Sequence, residues 1–155
     1  MDELPAQFVR YPSRAGRLAL AARLGLTIDP HSQDWEWTVA TPGQSPAWFS
    51  AYQTAPLSDD ERFSLMEMLV QCVEELSPSE GSRDLVEQLP EWQAVAGLLR
   101  ERMHLHANTI YYWSVLGHDD PDEQFRISVS MRRLWAELHR VITEQCTEGR
   151  TGLAT

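Results

Sequence analysis

From Leu85 to Trp113 the residues Leu89, Trp92, Ala96, Leu99, Met103, His106 and Ile110 recur at alternating steps of four and three. That spacing keeps them on one side of a helix, so about eight helical turns must bury a single mostly apolar stripe. A chain carrying such a stripe needs other helices to cover it. Pro90 argues against one straight rod and fits best as the first residue of a helix starting near Leu89. The β-formers around Asn108–Trp113 place a second break near Leu105 or Asn108. Burial of Ile110 and Trp113 can still hold that piece helical against weak propensity. Gly117 then ends it.

The covering helix announces itself at Ser58. Ser58-Asp59-Asp60-Glu61 is a capping box, in which Glu61 reaches back to the Ser58 amide. Acids in the first turn suit the positive end of the helix dipole. Phe63, Met66, Leu69, Val70, Val73 and Leu76 follow at helical spacing and form a wide apolar side. Asp60, Ser64, Glu67, Gln71 and Glu74 fall opposite, where a solvated face is expected. Pro78 and Gly81 close the element.

The remaining segments are shorter. Ser13 caps a helix reaching Leu24, and Gly25 ends it. Trp35 and Trp37 alternate with polar neighbours at strand spacing, but a lone strand leaves its backbone groups unsatisfied. An extended or single-turn piece that lays both indoles onto helices is expected instead. Ser45-Pro46 starts a further helix, with Ser45 as its cap, and Pro56 ends it. Residues 118–123 form an acidic loop. Ser128 or Ser130 caps a last helix running to about Cys146, and Gly149 stops it. The expectation is an all-α fold, an irregular helical bundle or a short stack of helical hairpins with five to six helices. Residues 1–149 make one domain, and residues 150–155 a loose tail.

Composition narrows the function. The 155 residues suit one core, and no apolar run approaches the roughly 20 residues of a membrane span. The start Met1-Asp2-Glu3 lacks the basic opening of a signal peptide. Cys72 and Cys146 make no disulfide framework, so the cytoplasm is the expected compartment. Every one of the 13 basic residues is arginine, as a GC-rich genome favours, and the chain has six tryptophans. The net charge is −10, unevenly spread: residues 57–91 set ten acids against Arg62 and Arg83, whereas residues 1–28 carry a net of +2. Such a field repels phosphate backbones and attracts a basic protein.

Motifs of catalysis are thin. Glu101 and His104 have the Glu-x-x-His spacing of carboxylate-bridged metal sites, which need two copies and two further glutamates; there is one copy. His104 and His106 diverge on a helix and cannot share an ion. His106, on the apolar stripe, is expected to be a hydrogen-bonded structural residue able to titrate near neutral pH. His118-Asp119 lacks the other ligands of a phosphohydrolase pair. Cys72 sits on a buried side. Phosphate loops, nucleophile elbows and paired Cys-x-x-Cys are missing from the sequence. No catalytic residue, metal ligand or cofactor is assigned.

These features give the profile of small acidic bacterial proteins that neutralise toxins by direct binding, a likeness of size and charge that transfers no residue. The expected function is a protein-binding module of the immunity or antitoxin type, masking a basic protein, with no nucleic acid or membrane contact. Its expected contact residues are Asp60, Glu67, Gln71 and Glu74 on the Ser58 helix, with Trp35, Trp37 or Trp48 as a buried anchor. A small helical enzyme, metal-assisted through Glu101, His104 or His118, and a self-associating adaptor are the alternatives.

Overall fold

In the computed structural model of the chain, residues 3–29, 31–81 and 83–151 are described, with side chains through Gln145. These residues are all-α: 72% of the structure is helical and no strand occurs among them. The α-helices are α1 (Arg14–Leu24), α2 (Trp35–Val39), α3 (Ser45–Thr54), α4 (Asp59–Leu76), α5 (Pro90–Glu101), α6 (Met103–Ser114) and α7 (Ser128–Thr151). Six have seven residues or more, and the five-residue α2 takes the total above the expected five to six.

Local chemistry explains most boundaries. The Ser13 hydroxyl accepts from the Gly16 amide, and Gly25 ends α1 at φ 67°, a left-handed conformation that suits a residue without Cβ. Both hydrogen bonds of the capping box at Ser58 and Glu61 are made. Pro90 opens α5. Trp35–Val39 is a single helical turn rather than a strand.

Four expectations need correction. The break in the stripe falls at Arg102 (φ −132°, ψ 49°), earlier than Leu105 or Asn108, and the Arg102 carbonyl then accepts the first bond of α6 from His106. Ser45 is no N-cap: a 3-10 turn over Pro42–Gln44 runs straight into α3, and the Ser45 hydroxyl donates to the Pro42 carbonyl. Ser128 is the first residue of α7, its hydroxyl accepting from the Phe125 amide and donating to the Trp113 carbonyl at 2.8 Å. Finally, α7 runs through Gly149 to Thr151, because one interior glycine lowers helix stability by only about 1 kcal/mol and does not force a stop. Arg150 and Thr151 therefore belong to the helix; the rest of the expected tail and the Cys146 side chain lie outside the described residues.

The architecture turns on α4. It packs against α1, α2, α3, α5 and α6, while α6 pairs extensively with α7. Phe63, Leu65, Met66, Met68, Leu69, Val70, Cys72 and Val73 are all buried, so nearly the full circumference of the helix is enclosed. A helix ringed in this way has no solvent face in its middle. Its polar residues must find partners inside the protein.

Candidate functional site

Those partners come first from the basic N-terminal segment. Arg10 pairs with Asp60 at 2.7 Å, and the Ser13 hydroxyl donates to the same carboxylate at 3.0 Å. The Arg10 guanidinium, and then Ser13, hold the Asp60 carboxyl below the ordinary range. Arg23 pairs with Glu61 at 3.0 Å. The basic stretch and the acidic helix that stood out in the sequence thus answer each other within one fold.

A second group of partners lies deeper. On α2, the buried Glu36 receives the Nε and Nη2 of Arg17 at 2.6 and 2.7 Å and the Ser64 hydroxyl at 2.9 Å. One turn further along α4, Glu67 is buried as well. Its Oε1 accepts from the Thr109 hydroxyl at 2.6 Å, and its Oε2 from the indole N–H groups of Trp37 at 3.1 Å and Trp113 at 3.3 Å. All three donors are neutral. Burial pushes the Glu67 carboxyl above its ordinary pKa, and the Glu36 charge adds to that push, against the three hydrogen bonds.

The expected contact residues therefore do not share an open face. Glu67 is interior, because α2 and α6 close over that side of α4. Asp60 is half-buried in its ion pair. Glu74 accepts from the backbone N–H groups of Arg126 and Ile127 at 2.9 and 3.0 Å, just ahead of α7, where a carboxylate suits the helix dipole. Gln71 donates to Glu75 at 3.2 Å. Trp35 and Trp48 are core residues at 2% and 3% exposure, the Trp35 indole donating to the Thr27 carbonyl. Of the expected anchors only Trp37 is half-exposed, stacked on Tyr112 at 5.4 Å between centroids.

Around Glu67 and Trp37 lies a cavity of about 210 Å³. Tyr11, Trp37, Phe63 and Tyr112 line it together with Asp34, Glu36 and Glu67 and with Arg10 and Arg17. An aromatic cavity with a few convergent polar groups and a perturbed carboxylate has the makings of a ligand site. Sequence reasoning missed it, since its residues come from four separate segments.

The candidates for metal-assisted chemistry stay apart. Glu101 ends α5 and His104 lies in α6 beyond the break at Arg102, both exposed. His118 pairs with Glu123 at 3.0 Å on the acidic loop. Among the described residues, no group of three or more His, Cys, Asp or Glu is disposed to hold a metal ion. His106 is buried, with its Nε2 2.6 Å from the Tyr52 hydroxyl, and burial with three nearby arginines pushes its pKa down to about 3. The expectation of titration near neutrality is thus corrected. Burial also pushes the Cys72 thiol up to about 12, which makes it a poor nucleophile. No described helix is long and apolar enough to cross a membrane.

No known protein family, curated protein or solved structure matches the chain.

Proposed function

We propose that the chain is a small acidic protein-binding module, of the immunity or antitoxin type, that neutralises a basic protein by direct contact through loop 118–123. The observation that carries this reading is how the loop is held. Arg83 donates to the carbonyls of Phe125 and Pro121 at 2.8 and 2.7 Å, and Arg132 to those of Val115 and His118 at 2.6 and 2.7 Å. These guanidinium groups fix the loop backbone and leave the carboxylates of Asp119, Asp120 and Asp122 facing solvent; Asp119 keeps only a 3.5 Å contact with Arg132 at 96% exposure. A preorganised surface loses little entropy when a partner docks.

The test is the triple replacement of Asp119, Asp120 and Asp122 by Asn, measured against the protein that the wild type captures from its native host. Electrostatic steering predicts an association rate roughly tenfold slower at low salt, with the difference fading as salt rises. Equal rates at low salt would remove the loop from the contact.

A further inference from the structure

We propose that the cavity bounded by Trp37, Tyr112 and Tyr11 binds an organic ammonium group, with Glu67 as its counter-charge. This site is separate from loop 118–123 and stands whether or not that loop meets a partner.

Charge is the first reason. Glu67 is enclosed and meets three neutral donors but no cation. Arg10 and Arg17 also line the cavity, and the guanidinium charge of each is paired with a carboxylate, although the Arg10 Nε has no hydrogen-bond partner. Arg17 directs its donors to Glu36 and to the carbonyls of Ser32 and Gln33. Arg10 is paired with Asp60. Asp34 lines the cavity as a further carboxylate. The interior is therefore short of positive charge, and an entering cation would supply to Glu67 the partner that the fold does not. The lining sets three carboxylates against two arginines whose charges are already paired, which disfavours an anion.

The walls are the second reason. Tyr112 is 46% and Tyr11 76% exposed, and among the described residues Tyr11 stacks on no other ring. Ring faces attract alkylammonium groups while their edges and the buried Phe63 take the aliphatic part. Volume sets the size. About 210 Å³ corresponds to roughly seven water-sized groups, enough for a butylammonium or a small quaternary ammonium ion. The same chemistry is available from a free amine or from a lysine side chain on another protein.

The experiment titrates the full chain with n-butylammonium and tetramethylammonium chloride at constant ionic strength, reading tryptophan emission and heat. Trp37 and Trp113, both bonded to Glu67, report directly. Saturable binding is expected, about tenfold weaker in Glu67→Gln and weaker again than wild type in Tyr11→Leu. Tyr11 is an exposed rim residue, so its variant keeps the test alive if Glu67→Gln fails to fold. Neutral n-pentanol is the control for plain apolar filling. Competition by an acetylated, amidated lysine would assign the site to protein side chains, and its failure alongside butylammonium binding to free amines. The proposal is overturned if neither ammonium ion saturates, or if n-pentanol binds as tightly as butylammonium. It is equally overturned if folded Glu67→Gln and Tyr11→Leu bind like the wild type.

Discussion

The Tyr52 hydroxyl and His106 Nε2 lie 2.6 Å apart in the core, although 54 residues separate them in the chain. With His106 at 0% exposure and its pKa pushed down to about 3, the imidazole stays neutral in the folded protein wherever an exposed histidine would charge. Between about pH 6.5 and about pH 3 only the unfolded chain binds that proton, so stability falls as pH falls through this window and is complete above it. From pH 7 to pH 5 the group should remove on the order of 2 kcal/mol. Glu67, whose folded pKa is raised, opposes this trend, so the comparison must be with His106→Gln. Urea midpoints at both pH values should drop more in the wild type than in the variant; equal drops would mean a charged imidazole in the fold.

Arg17 and Glu36 form an ion pair with side-chain exposures of 17% and 4%. Removing one partner strands a buried charge, so Glu36→Ala should lose about 3–5 kcal/mol. Replacing both by Met and Leu should lose less than the single change. A double-mutant cycle by urea denaturation measures this, and additive losses would contradict the pairing.

Gly16 lies where α1 packs tightly against α4. A Cβ there would sit 2.8 Å from the Asp60 Cβ and 3.0 Å from the Asp60 carbonyl carbon. Gly16→Ala should therefore destabilise by about 1–3 kcal/mol, although alanine is the better helix former. At Gly97 on α5 nothing lies within 4 Å, and Gly97→Ala should stabilise by about 0.5–1 kcal/mol. Opposite shifts in thermal midpoint are the expected result.

Trp92 is 2% exposed, with its indole N–H donating to Glu87 at 3.1 Å. Trp92→Ala should cost roughly 3–5 kcal/mol, the range for a large buried aromatic. Trp92→Phe, which keeps most of the packing, should cost clearly less. Chemical denaturation of the two variants distinguishes the contributions.

Much of the fold was legible at Ser13, Ser58 and Pro90, where a cap or a ring constrains the backbone locally. Arg102 carries no such mark, and its break became visible only in three dimensions. The same holds for the end of α6, where Val115 adopts φ 46°, a conformation unfavourable for a β-branched side chain. The misplacement of Glu67 has a different cause. Helical spacing sorts one side of a helix from the other, but it does not say how many neighbours surround the cylinder. On α4 the polar side faces α1, α2 and α6, so a stripe that resembled a solvent face holds interior hydrogen bonds instead. The indoles of Trp37 and Trp113 come from distant segments, and no local spacing connects them to Glu67.

Arg132 holds three carbonyls at once, those of Ser114, Val115 and His118, from its place in the second turn of α7. The end of one helix, the left-handed residue after it and the start of the acidic loop are therefore fastened by one side chain, while Arg83 holds the far end of the loop. In hydrogen-exchange terms they form one opening unit. Amides from Val115 to Asp119 should exchange at a common rate set by release of that guanidinium, instead of fraying residue by residue from the loop tip.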